Sequence, residues 1–203
     1  MRTYGQYCAM ARGLDVIGDR WTLLIVRELL LQGPARYAEL QRGLPGIATN
    51  LLADRLRELE ANGVVTREDG IVSLTARGRQ LEPVMRAIGR WGAPLLAQPA
   101  APNEVFQSHW LALPLQEFLA DHAPARRRQT LEVRTGDEPL TVEVGGGTVK
   151  ITPGRSDEPD AVIGGPARLV LPVLAGRVPL ARARVTFEGD RAVLRRLQPK
   201  AFA

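Results

Sequence analysis

At 203 residues, 45% of them hydrophobic, the chain has room for one large or two small packed domains. A single cysteine excludes an internal disulfide framework, and no run of 18 apolar residues or leader pattern is present, so a soluble, cytoplasmic protein is expected. The net charge of +5 suits a polyanionic partner, yet residues 1–97 carry 13 basic and 10 acidic groups and the rest carry 14 and 12. Any basic surface must therefore come from placement on the fold.

The first long helix is predicted over Asp19–Gln32, apolar on nearly every side and so central to a domain. Gly33-Pro34 stops it. A short helix is predicted over Ala35–Leu44, then a turn at Pro45-Gly46-Ile47, then an amphipathic helix over Ala48–Gly63. Leu51, Leu52, Leu56 and Leu59 form its buried stripe, with Ile47 just ahead; Thr49, Asn50, Ala53 and Arg57 lie off the stripe. Asn62-Gly63 ends the helix with residue types that tolerate left-handed backbone. Residues 64–68 (VVTRE) and 71–75 (IVSLT) flank Asp69-Gly70, the strongest short hairpin signal. Helix, helix, turn, helix, hairpin is the order of a winged helix-turn-helix, whose common use is to lay its last helix in a DNA major groove.

On that reading Asn50 pairs with adenine and Arg57 reaches guanine or a phosphate, with Thr49 and Ala53 on the same face. Arg36 and Tyr37 open the preceding helix and Arg67 sits in the wing, where they anchor the DNA backbone.

A long helix is predicted over Ala76–Leu96, with Pro83 marking a kink or a new segment. Its stripe includes Leu81, Met85, Ile88 and Trp91, which either packs on its own domain or forms a homodimer seam. The QPAAPN stretch, 98–103, reads as a linker between domains 1–97 and 104–203.

Beyond it the pattern turns to α+β. A helix is predicted over Val105–Ala123, interrupted or bent at Pro114. Residues 129–135, 139–145 and 148–154 alternate as an antiparallel meander, with Gly145-Gly146-Gly147 as a turn and not a phosphate loop, since no Lys-Ser or helix follows. A short strand at 160–163, a helix at 165–175 despite Pro172, a strand at 183–189 and a helix at 190–197 complete the chain.

Catalytic signals are thin. His109 and His122 lack partners at metal-ligand spacing, so no metal and no cofactor is expected. Ser73, Ser108 and Ser156 sit in no nucleophile elbow, and no enzyme is expected. Glu28, Glu39 and Asp54 read as surface ion-pair partners of neighbouring arginines. The Arg126–Arg128 run reads as a solvated loop or as an extra phosphate contact. Cys8 reads either as a small hydrophobe under the first helix or as a thiol sensor activated by Arg2 and Arg12.

Two resemblances sharpen these readings. Cys8, Leu14–Leu29, Gly33–Leu40, Leu44–Ile47, Leu51–Arg67 and Leu74–Val84 together resemble the HxlR-type winged-helix regulators of bacteria, over roughly residues 5 to 97. The resemblance implies a dimeric DNA-binding regulator, some of whose members use an N-terminal cysteine as a sensor. Ala48 departs from it, standing where a capping Ser is more usual. Asp160–Leu180 and Ala183–Leu197 resemble the sterol-carrier-protein-2-like (SCP2-like) domain, over roughly residues 103 to 198. That implies a tunnel for an apolar ligand, lined by some of Trp110, Leu111, Leu115, Phe118, Leu174 and Phe187.

The expected protein is thus α+β: an N-terminal winged helix-turn-helix domain and an SCP2-like α/β domain with a mostly antiparallel sheet. Its expected function is a homodimeric transcription regulator reading a palindromic operator in double-stranded DNA, modulated by an apolar small molecule, with no membrane partner. The alternatives are a lipid-like ligand carrier whose winged helix serves as dimerisation scaffold, and a small-molecule enzyme built on the tail.

Overall fold

The computed structural model describes residues 3–97 and 103–197, so most of the segment read as a linker, 98–103, lies outside the described residues. The chain forms two compact units, residues 1–88 and 89–203. No described helix is long and apolar enough to cross a membrane.

The first unit opens with a helix the sequence reading did not anticipate, α1 (Ala9–Ile17). The next, α2, runs over Thr22–Gln32 and starts three residues later than expected. Trp21, just ahead of it, takes a left-handed backbone at φ +81°, a conformation that costs a bulky residue of order 1–3 kcal/mol. Tertiary packing sustains it. The indole rests against the head's apolar core, and Asp19 is held by Arg55 at 2.7 Å. Nor is α2 buried all round: Ile25, Val26 and Leu29 are buried while Leu24 is exposed.

Ala35–Arg36 is a two-residue strand, β1, where a helix start was expected. It precedes α3 (Tyr37–Gly43), α4 (Thr49–Ala61), β2 (Val65–Glu68) and β3 (Ile71–Leu74). The sheet order is β1-β3-β2, with Ala35 opposite Val72 and Val65 opposite Leu74. Asp69 and Gly70, at φ +50° and +77°, close the hairpin as the Asp-Gly signal requires. The core joins Ile25, Val26 and Leu29 of α2 to Leu52, Leu56 and Leu59 of α4 and Val72 of β3. Each such side chain contributes roughly 1.5–3 kcal/mol by leaving water.

Glu28 corrects the surface ion-pair expectation. It is buried, pairs with Arg27 at 2.8 Å, and lies against Gly43 so closely that a Cβ there would meet its carboxylate at 2.4 Å.

The helix expected over 76–96 is broken. The first piece, α5 (Ala76–Arg79), is capped by the Thr75 hydroxyl, which accepts from the Gly78 N–H. A Cβ on Gly78 would stand 2.1 Å from the Val64 carbonyl oxygen, so only glycine lets this turn approach β2. The second piece, α6 (Glu82–Gly92), has Pro83 in its first turn, where a missing N–H costs nothing. A 3₁₀ turn, Ala93–Ala97, follows.

Beyond residue 103 the second unit runs through a 3₁₀ turn (Ser108–Leu111) into α7 (Ala112–Phe118), shorter than the helix predicted over 105–123 because Pro114 fits only its first turn. The meander is present as β4 (Gln129–Arg134), β5 (Leu140–Gly145) and β6 (Thr148–Pro153). Then come β7 (Ala161–Gly164), α8 (Ala167–Leu174), β8 (Thr186–Gly189) and α9 (Arg191–Arg196). Strand order is β6-β5-β4-β7-β8; only the β4–β7 pair is parallel, so the sheet is mostly antiparallel as expected.

Arg196 ties this unit together. Its buried guanidinium grips both oxygens of Asp121, at 2.8 and 3.0 Å, and donates to the Arg127 carbonyl (2.6 Å) and the Gln129 side chain (3.1 Å). Asp121 in turn accepts from the Ala123 and Gly147 N–H groups. One ion pair thus joins α9, the loop before β4, β4 itself and the β5–β6 turn. The Arg196 hydrogen bonds, aided by those two N–H groups, hold the Asp121 carboxyl far below the usual carboxylate range.

Removing one partner strands a buried charge. Asp121→Asn is expected to cost about 3–5 kcal/mol in urea unfolding. Because the folded pKa is depressed, the stabilisation is fully present above the ordinary carboxylate value of about 3.9 and is lost as pH falls below it. Wild type should therefore lose stability below about pH 4 more steeply than Asp121→Asn; parallel pH profiles would contradict the assignment.

Candidate nucleic-acid interface

A 13-residue helix with Leu52, Leu56 and Leu59 buried must present the opposite side to solvent. That side of α4 carries Thr49, Asn50 and Arg57, all exposed, with Ala53 half-buried between them. Asp54 shares the face and pairs with Arg57 one turn on. The sequence reading gave Asp54 to a surface ion pair and did not notice that the arginine it holds is the candidate base reader.

The helix start is set from outside, since Ala48 supplies no side-chain cap. The Tyr37 hydroxyl donates to the Thr49 carbonyl, and the Gln41 amide donates to the Thr49 hydroxyl at 2.9 Å. Leu44 and Ile47 are buried on either side of the turn, and Gly46 takes φ +86° between them. Tyr37, expected on the DNA backbone, therefore spends its hydroxyl on fixing α4 against α3. Gln41 does the same work and was missed; its one signal is helical register with Tyr37.

At the start of α3 the Arg36 N–H is already taken, donating to Glu39 at 2.6 Å. A phosphate there has the exposed Arg36 side chain to bind, and that guanidinium lies beside Gly70 of the wing turn. Arg67 is exposed on β2. Arg55, by contrast, is committed internally to Asp19 and Glu58.

The remaining expected residues are placed as follows. Leu81 and Met85 pack against the head's own core, whereas Ile88 and Trp91 are exposed, Trp91 at 79%. Met10 and Leu14 of α1, and Tyr7 just ahead of it, are exposed as well, apolar surface that the sequence reading passed over. In the tail, Leu111, Leu115 and Leu174 are buried, and Trp110, Phe118 and Phe187 are half-buried. Of these six, only Leu174 lines the open groove of this unit. No group of three or more metal-ligating side chains occurs among the described residues.

Cys8 is exposed, not buried under α1, and stands at that helix's amino end. The backbone N–H groups of Ala11 and Met10 lower its pKa; Arg12 instead lies over the Tyr7 ring at 4.8 Å, and Arg2 is outside the described residues.

Residues 16–99 match the family described as HxlR-like helix-turn-helix. The chain is 36% identical over 101 residues to the HTH-type transcriptional regulator sll1512 of Synechocystis, which spans 46% of this chain and 74% of that one. It is 34% identical over 89 residues to the HTH-type transcriptional regulator YodB of Bacillus subtilis, covering 40% and 79% of the two chains. The crystal structure of quinone-bound YodB from B. subtilis aligns with a TM-score of 0.40 at 35% identity, over 42% of this chain and 96% of that one. Both relatives are HTH-type transcriptional regulators.

The amide-stabilised thiolate has a direct readout. The rate of Cys8 alkylation by iodoacetamide should rise with pH through a midpoint lower than that of the same thiol in the urea-unfolded chain. A midpoint at or above that value would mean the helix end does not act on the thiol.

Proposed function

The chain belongs to the HxlR-like helix-turn-helix transcriptional regulators, and from that premise we propose a cytoplasmic homodimer that reads a palindromic operator and answers to an apolar small molecule. The observation that carries the reading is the exposed face of α4, where Asn50 and Arg57 stand in solvent on a helix locked by its leucines and by Tyr37, with Arg36 of β1 and Arg67 of β2 exposed as well. Asn50 and Arg57 are the proposed base readers. Arg36 and Arg67 are the proposed phosphate contacts. DNA selection with the purified protein tests it, by yielding one palindromic motif.

Dimerisation is supported by apolar surface left in water. Among the described residues of α6 none is buried, and Ile88 and Trp91, like Met10 and Leu14 of α1, are large exposed side chains. The first unit also has an open groove of about 550 Å³ lined in part by Val16, Ile17 and Leu81. The proposed seam therefore combines α6 with α1.

For the tail we propose the SCP2-like assignment and the domain division 1–97 and 104–203. Its support is the order of elements: a three-stranded meander, a parallel crossover strand, a helix, and a closing strand and helix. Cys8, exposed and with a lowered pKa, is proposed as a second input sensitive to oxidants.

Two results are expected. Asn50→Ala should lose about 1–3 kcal/mol at one base pair and relax preference there, whereas Arg36→Ala and Arg67→Ala should each weaken binding to every sequence and flatten the salt slope by about one unit. Equal losses on operator and random DNA for Asn50→Ala would sink the base-reading role. Ile88→Glu should sediment as a monomer and lose tight operator binding, because two heads together set half-site spacing; a dimer that persists would move the seam elsewhere.

A further inference from the structure

Thr49–Ala61, the whole of α4, holds two arginines and three carboxylates, a net charge of −1. Neither arginine is uncommitted. Arg55 is held by Asp19 and Glu58, and Arg57 by Asp54. Attraction to the phosphate backbone needs cations that displace counterions, and this helix has none to spare. What it can gain in a groove lies on the base edges.

Asp54 and Arg57 stand exposed, one turn apart, on the same face as Asn50. Ala53 beside them is small and half-buried, so the face can come close to a groove floor. Asp54 Oδ1 accepts from Arg57 Nη2. The second carboxylate oxygen and the other guanidinium N–H groups remain for a ligand. The pair thus presents two donors beside one acceptor. In the major groove a G·C pair shows the complement: guanine N7 and O6 accept, and the cytosine N4 amino group next to them donates. An A·T pair alternates acceptor, donor and acceptor before its methyl group, so it offers no two adjacent acceptors. The direction of the helix decides which strand carries the guanine.

We propose that Asp54 is a specificity-determining residue. It holds Arg57 on guanine N7 and O6, its second oxygen accepts from the N4 amino group of the paired cytosine, and its charge keeps Arg57 off phosphate. The inference rests on the regulator reading above and names a base pair that reading left open. An exposed ion pair one turn apart adds little to stability, so variants of it keep the fold and report on recognition.

The test is operator selection with the full-length protein, followed by binding titrations on the selected duplex and on random duplex. Wild type should require one G·C pair in each half-site, a requirement that Arg57→Ala no longer shows. Asp54→Ala should lose preference at that pair by roughly five- to 150-fold. It should also bind random DNA more tightly and steepen the logarithmic salt dependence by about 0.9 per head, because the released Arg57 takes a phosphate. Base analogues separate the two side chains. 7-Deazaguanine at that pair lacks the N7 acceptor and should weaken wild type but not Arg57→Ala. N4-methylcytosine turns a methyl group into the groove in place of the amino donor and should weaken wild type but not Asp54→Ala. Inosine in place of guanine alters only the minor groove and should leave wild type unchanged. The role of Asp54 is overturned by an Asp54→Ala protein with wild-type base preference, with an unchanged salt slope, or with a wild-type response to N4-methylcytosine. The two readings fail differently. A wild-type protein that selects no motif refutes the regulator reading and this pair with it; a selected motif that Asp54→Ala reads unchanged refutes the role of Asp54 alone.

Discussion

Burying one face of α4 is the constraint on which the rest of the head depends. Leu52, Leu56 and Leu59 cannot enter the core without turning Asn50, Asp54 and Arg57 outward, because the helical period fixes the angle between them. The leucines bind the helix to α2 and β3; Tyr37 and Gln41 fix its amino end through Thr49. Apart from Thr49, whose hydroxyl accepts from Gln41, neither device touches the exposed face. The exposed residues are therefore free to vary in identity with little cost in stability, which is what a reading helix on a shared scaffold requires.

The tail solves a different problem with a different interaction. Its loop of residues 119–128 has one large apolar side chain, Leu119, and would be costly to order by burial alone. The Arg196–Asp121 pair orders it with hydrogen bonds that satisfy the loop's own carbonyls at Arg127 and, at longer range, Arg126. A buried ion pair is weak evidence for net stability, since its desolvation offsets much of its attraction. Its effect here is conformational: few other arrangements of these segments satisfy both charges at once.

What could be read from residues alone follows from range. The hairpin at Asp69-Gly70, the leucine stripe of α4 and the tail meander are encoded within windows of about ten residues, where turn chemistry and periodicity decide. The start of α2 is not: Trp21 adopts φ +81° because of packing and an Arg55–Asp19 contact 36 residues apart in sequence. Strand β1 is two residues long and exists only through β3. Glu28 reads as a surface acid beside Arg27 until Gly43 closes over it. In the site itself, exposure of Asn50 and Arg57 was legible from period, whereas the engagement of Tyr37 with Thr49 depends on how α3 meets α4. Of the side chains expected to line a tail pocket, Leu174 lines the groove beside α8 and α9, whereas Trp110, Phe118 and Phe187 are half-buried outside its lining.

Charge placement also bears on how such a head gains specificity. Its 13 basic groups are nearly balanced by 10 acidic ones, and Arg27 and Arg55 are engaged internally. The proposed backbone contacts number two per head, Arg36 and Arg67. Each phosphate neutralised changes the logarithmic salt dependence by about 0.9, so on that proposal one head alone would hold random DNA weakly at physiological salt. Asp54 strengthens that bias, because a carboxylate on the reading face repels phosphate and holds Arg57 back from indiscriminate backbone contact. Low background binding has a consequence for assembly. A head that binds this weakly becomes effective when two act on one site, since the second contact is then made at high effective concentration. On this reading the exposed apolar surface of α1 and α6 and the sparse charge of the reading face are two parts of one design: the first supplies the pairing that the second makes necessary.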